Sequence, residues 1–147
     1  MVHTEIEKLI TCIEELVPVY MAIPEDYAKS NGVASLCIIA EDGQIYGKVF
    51  GDDKLRGRDS FRIAYTKASQ VWITGIKTNE YEKLVFAGQI DPQQFGIKLP
   101  DLVGWLGGQP VTLRDGTKLS VGFSGFRGTT DLEIVIKALK KANSILS

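Results

Sequence analysis

The segment VASLCIIAEDGQIYGKVF, residues 33–50, decides the fold class because it predicts a β-hairpin. A mostly apolar run, Val33–Ala40, is followed by Asp42-Gly43 and then by a second run, Ile45–Phe50. An Asp-Gly pair between two apolar runs is a strong hairpin signal, because glycine readily adopts the positive φ angle of a tight turn. The first run is apolar on both faces, which predicts a central strand covered by helices on each side.

The second half of the chain repeats this pattern. Strands are predicted over residues 102–106, 111–113 and 118–123, with Gly107-Gly108-Gln109-Pro110 in the first gap and Asp115-Gly116-Thr117 in the second. These short connections predict an antiparallel meander. Together, the two blocks predict an antiparallel sheet of about five strands.

Helices are predicted around these strands from apolar residues spaced i, i+3, i+4 and i+7. The first helix is expected to begin at the capping box Thr4-x-x-Glu7 and to end at Pro18. A middle helix is expected from Asp59 or Ser60 to residue 73, and a closing helix from the box at Thr130 to residue 145. Short helices are expected at residues 24–27 and 79–86, with an irregular loop over 87–100. The middle helix has a predicted buried stripe of Phe61, Ala64, Tyr65, Ala68, Val71 and Trp72.

A single α/β (α+β) domain over residues 1–147 accounts for these elements, with helices covering both faces of the sheet. The 44% apolar and 24% charged residues are ordinary for a globular protein. A net charge of −1 and the lack of a basic stripe argue against a nucleic-acid partner. With no apolar run of roughly 18 residues, no membrane partner is expected. Cys12 and Cys37, without a secretory signal, predict a cytoplasmic location.

Common catalytic motifs are incomplete. His3 is the only histidine, so a nucleophile–His–acid triad would need its base near the chain end. The stretch Gly122–Phe126 departs from the G-x-S-x-G motif because Phe126 stands where that motif has glycine. One histidine and two separated cysteines do not supply a zinc site. No metal site is expected.

Three features are candidates for ligand binding. The predicted helix start at residues 57–60, beside Arg56 and Arg58, would offer free backbone N–H groups to an anion; the alternative is solvated loop charge. Lys67 lies off the apolar stripe and faces either a cleft or solvent. Gly107-Gly108 and the turn at 124–128 would let a ligand approach the backbone, although tight turning alone explains these glycines. Trp105 would offer a flat wall.

The order of these motifs resembles the GlcG/HbpS family, which includes the C-terminal domain of PduO-type proteins. The resemblance rests on Lys67-Ala68, Gly107–Pro110, Val121–Gly125 and Asp131, and it spans residues 6–146. It implies a profilin-like three-layer α/β/α fold and a homo-oligomer, a dimer or larger. Several family members bind heme, so heme or another tetrapyrrole is the implied cofactor. The histidine of those members has no counterpart in residues 18–29, a segment that looks like an addition.

The sequence therefore supports three functional hypotheses. The first is an accessory protein that binds a small anionic or planar ligand, with the binding candidates Lys67, Trp105, Gly107, Gly108, Arg127, Arg58 and Ser60. The second is an enzyme acting on a small carboxylate or carbonyl compound, with Lys67 as base or Schiff-base nucleophile. The third is a structural or interaction subunit without a ligand. A heme axial ligand would have to come from His3, Met21, Tyr20, Cys37 or Tyr65, and no spacing singles one out.

Overall fold

The computed structural model describes residues 2–98, 101–142 and 145–146. The helices are α1 (Val2–Met21), α2 (Pro24–Ser30), α3 (Lys54–Thr74), α4 (Thr78–Phe86), α5 (Gly128–Lys141) and a 3₁₀ turn (Pro92–Gln94). The strands are β1 (Ala34–Ala40), β2 (Ile45–Phe50), β3 (Gly108–Thr112), β4 (Lys118–Ser124) and the two-residue β5 (Ile145–Leu146).

The strands form an antiparallel sheet in the order β2-β1-β4-β3-β5. Four of them have five to seven residues, and β5 adds a short segment at the β3 edge. The hairpin over residues 33–50 is confirmed: Ile39 pairs with Ile45, and Gly43 adopts a φ of 89° in the turn. β1 is buried along its whole length, as its apolar residues on both faces predicted.

Helices cover both faces of the sheet, so the fold has three layers. On one face, Leu36 and Ile38 of β1 join a large apolar core that α1 and α5 complete. On the other face, Cys37 and Ile39 pack against Ala64 and neighbouring apolar residues of α3. This division follows from the strand period, because successive side chains point to opposite faces of the sheet.

Glycine in the sheet lets α3 approach closely. A Cβ atom on Gly122 of β4 would lie 2.2 Å from the carbonyl oxygen of Ala64, and one on Gly47 of β2 would lie 2.6 Å from the Phe61 ring. Neither contact leaves room for a side chain. The middle of α3, which carries Lys67, is therefore held against the end of β4.

The predicted strand over residues 102–106 is wrong, because these residues form a loop. The backbone N–H of Val103 donates to Gln70 Oε1 at 2.9 Å, and Gln70 Nε2 donates to the Val103 carbonyl at 2.8 Å. A buried glutamine from α3 thus takes the place of a neighbouring strand and satisfies the polar groups of this backbone.

The predicted boundaries of three helices are also wrong. α3 begins at Lys54, where the Asp53 carboxylate accepts hydrogen bonds from the N–H groups of residues 55 and 56. α1 begins before Thr4 and continues through Pro18 to Met21, because Val17 and Tyr20 bury its last turn in the core. α5 begins at Gly128 and ends at Lys141; Thr130 donates its hydroxyl to Asp26 rather than capping the helix.

The predicted stripe of α3 is confirmed at Ala64, Ala68 and Val71, which are buried. It is wrong at Tyr65 and Trp72, which are 43% and 47% exposed. Phe61, the first residue of the predicted stripe, is partly buried and packs against the cluster that includes Cys37 and Ile39 of β1.

Candidate functional site

One cavity of about 550 Å³ opens between α2, α3, the loop before β3 and the start of α5. Its volume falls within the range of about 300–1,000 Å³ that is usual for small-molecule sites. The residues that line it come from five segments of the chain: Lys29, Ser30, Val33, Arg56, Asp59, Ser60, Ile63, Lys67, Gly104, Trp105, Leu106, Ser124, Gly125, Phe126, Gly128 and Asp131. We call the buried residues Lys67, Phe126 and Asp131 the floor, and the exposed residues Lys29, Arg56 and Trp105 the mouth.

Lys67 is the chemically distinctive residue of the floor. Its side chain is 1% exposed, and Nζ donates to the Phe123 carbonyl at 2.7 Å and to Asp131 Oδ2 at 3.3 Å. An ammonium group has three N–H donors, so one remains without a partner among the described residues. Because Lys67 lines the cavity, a bound molecule can accept that hydrogen bond.

Gly107 is placed against this amine. A Cβ atom there would lie 3.1 Å from Lys67 Nζ and 2.7 Å from the Phe123 carbonyl oxygen, and the residue has a φ of 111°. Both the space and the backbone conformation require glycine. The sequence prediction named Gly107 as a place of close backbone approach, and the backbone here approaches the lysine itself.

The floor holds a buried acid and a buried base whose proton affinities have moved toward each other. Burial lowers the pKa of Lys67, and the Asp131 carboxylate opposes that shift. Burial raises the pKa of Asp131 to about 7, although Lys67 and the Phe126 N–H, which lies 3.0 Å from Oδ1, stabilise the charged form. Strongly perturbed pairs of this kind in a cleft are typical of functional sites.

The loop that carries Trp105 is anchored from two sides. Gln70 binds the backbone of Val103, and the Thr78 hydroxyl donates to the Trp105 carbonyl. Trp105 itself is 62% exposed, which leaves its indole face free at the mouth. Gly108 does not line the cavity; a Cβ atom there would lie 2.3 Å from the Thr78 side chain, so its role is to let the loop seat on α4.

The charges at the mouth are predominantly positive. Lys29 and Arg56 are exposed, and neither makes an ion pair within the described part of the chain. Asp59 also lines the cavity, and its carboxylate pairs with Arg62 at 3.3 Å. The mouth therefore presents two unengaged cations to an incoming anion.

The predicted anion seat at residues 57–60 is wrong. These residues lie inside α3, which begins earlier in the chain. At its start, the Asp53 carboxylate accepts hydrogen bonds from the N–H groups of Leu55 and Arg56. Arg58 is exposed and does not line the cavity. Ser60 does line it, and its hydroxyl donates to the Ser124 carbonyl at 3.1 Å.

Arg127 supports the cavity wall from outside. Its Nε and Nη2 donate to the two oxygens of Asp26 at 3.0 and 3.1 Å, and Thr130 donates to the same carboxylate at 2.9 Å. Asp26 is fully buried. Burial raises its pKa, but the hydrogen bonds from Arg127 and Thr130 outweigh that effect and hold the pKa below its usual value. This cluster fixes α2, which contributes Lys29 to the mouth.

Sequence reasoning missed Asp26 as a structural residue. An acid in the first turn of a short helix is usually a solvated charge that interacts with the helix dipole. Its partners lie about 100 positions further along the chain, and no local pattern connects them. Asp131 was noted as a motif residue, but its contact with Lys67 follows only from the fold.

The floor and mouth do not match the usual ligands of heme iron. Among the described residues that line the cavity there is no His, Cys, Met or Tyr, the residue types that hold heme iron. The sequence-based candidates His3, Met21, Tyr20, Cys37 and Tyr65 all lie outside the lining. The same part of the chain has no group of three or more His, Cys, Asp or Glu placed to hold a metal ion. Nor does it contain a helix long and apolar enough to cross a membrane.

Comparison with known proteins identifies the fold. No protein-family model and no curated protein matches the sequence. Among solved structures, the PduOC:heme complex is 18% identical, with a TM-score of 0.66 over 96% of this chain and 94% of that one. The protein ORFY of Klebsiella pneumoniae is 17% identical, with a TM-score of 0.65 over 95% and 88%. HbpS is 17% identical, with a TM-score of 0.56 over 92% and 86%.

These similarities extend over nearly the whole of each chain, so they describe the complete three-layer arrangement rather than a shared motif. The resemblance to the GlcG/HbpS family is thereby confirmed at the level of the fold. The predicted cytoplasmic location and homo-oligomer stay predictions. The chain has the fold of PduOC and HbpS, as its sequence motifs implied.

Proposed function

We propose that this protein binds a small, flat, carboxylate-bearing molecule in the cavity between α2 and α3. The observation that carries the proposal is the buried Lys67 amine, which retains at the floor one N–H that no described residue accepts. A buried polar donor without a partner is costly, because it has lost its hydrogen bonds to water. A ligand oxygen that accepts from Lys67 removes that cost.

The shape and charge of the remaining surface support a flat anion. Trp105 offers an indole face at the mouth, and Phe126 and Ile63 add apolar surface. Flat rings pack well against such faces. Lys29 and Arg56 are placed to bind a carboxylate while the ring lies inside.

A tetrapyrrole is the first class to test, because the PduOC structure is a complex with heme. In the part of the chain that the structure describes, the cavity lining lacks the usual iron ligands, so recognition would rest on the ring and its carboxylates. We therefore expect iron-free protoporphyrin IX to bind about as tightly as heme. A strong preference for heme would show that an iron ligand is present and would contradict this part of the proposal.

Fluorescence of Trp105 provides the test. The chain has two tryptophans, so Trp72→Phe leaves Trp105 as the only one. Protoporphyrin IX should quench its emission in a saturable way. Lys67→Met and Arg56→Gln should each weaken binding by about tenfold, which corresponds to the loss of one charge-assisted hydrogen bond. Lys83→Met, which changes an exposed lysine outside the cavity, should have no effect.

Two results would contradict the proposal. One is the absence of saturable quenching at micromolar protoporphyrin IX. The other is binding that Arg56→Gln and Lys67→Met leave unchanged, because the ligand would then lie elsewhere. Arg56 is exposed and makes no ion pair with a described residue, so Arg56→Gln keeps the test valid even if Lys67→Met unfolds the protein.

We also propose that the chain assembles with copies of itself, as the sequence resemblance implied. β2 lies at one edge of the sheet, and its residues Ile45 and Val49 are 50% and 39% exposed. An open strand edge with apolar side chains favours pairing with another chain. Light scattering after size-exclusion chromatography should give at least twice the mass of one chain, and a monomer would contradict the proposal.

A further inference from the structure

We infer that Lys67 is a nucleophile that forms an imine with an aldehyde or ketone group of the bound molecule, and that Asp131 transfers the protons. The inference rests on the proposed function, because the carbonyl must belong to a molecule held in the same cavity. It extends that function from binding to covalent chemistry.

The first argument is the geometry at Nζ. A neutral amine has two N–H donors and one lone pair. The Phe123 carbonyl and the Asp131 carboxyl group occupy two tetrahedral positions of Nζ, at 2.7 and 3.3 Å. In the protonated form this third position carries the N–H that a ligand can accept; when Lys67 loses that proton, the lone pair takes the same position, and Lys67 lines the cavity. The contacts that hold the side chain thus leave its reactive position open.

The second argument is the protonation state. An exposed lysine is almost wholly protonated at neutral pH, and a protonated amine has no lone pair for attack. Lys67 is buried in the floor, and burial lowers its pKa. Each unit of lowering raises the neutral fraction by about tenfold at a fixed pH below the pKa. The neighbouring Asp131, with its pKa raised to about 7, can receive or donate a proton under the same conditions.

The reaction balances with the groups present. The Nζ lone pair forms a bond to the carbonyl carbon, and the carbonyl π electrons move to oxygen, which takes the proton of the Asp131 carboxyl group. The resulting carboxylate removes one proton from the nitrogen. That proton then goes to the hydroxyl group as the C–O bond breaks and water leaves. The products are water, a protonated imine on Lys67 and an ionised Asp131.

The mouth indicates which carbonyl compounds fit. Arg56 and Lys29 favour a carboxylate at the open end, and Trp105 favours a flat framework. The chemical class is therefore a flat aldehyde or ketone acid, with the carbonyl toward the floor and the carboxylate toward the mouth. We choose 4-carboxybenzaldehyde as the probe, and 4-(hydroxymethyl)benzoate as a matched control that keeps the ring and the carboxylate but has no carbonyl.

The experiment traps the imine in the full chain. The protein is incubated with 4-carboxybenzaldehyde and sodium cyanoborohydride, which reduces the imine to a stable secondary amine, and the modified lysine is identified by peptide mass spectrometry. We expect Lys67 to be modified at least about tenfold faster than exposed lysines such as Lys83. Asp131→Asn should slow trapping about tenfold or more because it removes the proton donor. Lys83→Met should leave the Lys67 adduct unchanged.

The two proposals fail in different ways. Suppose that protoporphyrin IX and 4-carboxybenzaldehyde both quench Trp105, but that Lys67 carries no adduct or that adducts are spread evenly over exposed lysines. That result would overturn the imine and leave the binding function intact. An absence of both quenching and adduct would overturn the binding function as well. Because the adduct is located within the unaltered chain, the result holds even if Lys67→Met does not fold.

Discussion

Replacing Lys67 with methionine should destabilise the protein by about 3 kcal/mol, toward the low end of the usual cost of removing one partner from a buried ion pair. The change leaves the Phe123 carbonyl without its donor at 2.7 Å, and Asp131 keeps only the hydrogen bond from the Phe126 N–H. Methionine refills much of the volume, which keeps the loss near that low end. For a chain of this length the melting temperature should fall by about 10 °C.

The loss should also depend on pH in a defined direction. In the wild type, Asp131 has a folded pKa of about 7, above the value of about 3.9 for an unfolded aspartate. The contribution of Asp131 to stability therefore falls as pH rises from about 4 to about 7 and then levels off, because Asp131 is ionised in both the folded and the unfolded protein above that range. Lys67→Met removes the cation that lowers this pKa, so the variant should go on losing about 1.4 kcal/mol per pH unit above pH 7.

Urea unfolding at pH 6, 7 and 8 measures this effect, with the double variant Lys67→Met/Asp131→Asn as the control. The double variant has no carboxyl group at position 131. Its loss of unfolding free energy relative to the wild type should therefore grow by about 1 kcal/mol less between pH 7 and 8 than the loss of Lys67→Met. The reasoning is refuted if Lys67→Met loses less than about 1 kcal/mol, or if its deficit is the same at all three pH values.

Three further predictions concern residues that line the cavity or support it. Asp26→Asn should cost about 3 kcal/mol in urea unfolding, because Arg127 and Thr130 lose a fully buried carboxylate; an unchanged midpoint would contradict the role of that cluster. Gly107→Ala should cost at least about 2 kcal/mol more than Gly88→Ala, because both have positive φ but only Gly107 is crowded; equal losses would contradict the close approach. Trp105→Ala should leave the free energy of unfolding within about 0.5 kcal/mol of the wild-type value. It should weaken protoporphyrin IX binding, measured by calorimetry, about tenfold; an unchanged affinity would show that Trp105 is not part of the site.

Local signals in the sequence were sufficient to predict the fold of a segment whose structure depends on its own residues and their neighbours in the chain. The hairpin at residues 33–50 depends on Asp42-Gly43 and on two adjacent apolar runs, so both its turn and its register follow from neighbours in the chain. The end of the middle helix, predicted at residue 73, is similar: α3 ends at Thr74, where the next residue, Gly75, has a φ of 72° and terminates the helix.

The errors arose where contacts distant in sequence replaced local ones. The loop at 102–106 has the apolar composition of a strand, but the side chain of Gln70 satisfies its backbone. The sequence prediction began the middle helix at Asp59 or Ser60, whereas Asp53 caps it, and Gly57 inside the helix lies close to Val49 of β2. Context of this kind routinely overrides local preference.

The candidate site was predicted in part for the same reason. Lys67 was chosen because it lies off the apolar stripe, and Trp105 because it would offer a flat wall to a ligand; both line the cavity. The burial of Lys67 could not be predicted, because it depends on Asp131, 64 positions further along the chain. Arg127 was chosen as part of the glycine-rich turn at 124–128, but its side chain pairs with Asp26.

A crystal structure of the protein with protoporphyrin IX bound tests the central claim most directly. We predict a ligand ring against Trp105, a carboxylate within hydrogen-bonding distance of Arg56 or Lys29, and a ligand atom in contact with Lys67 Nζ. A ring bound on another surface, with the cavity between α2 and α3 left empty, would contradict the account.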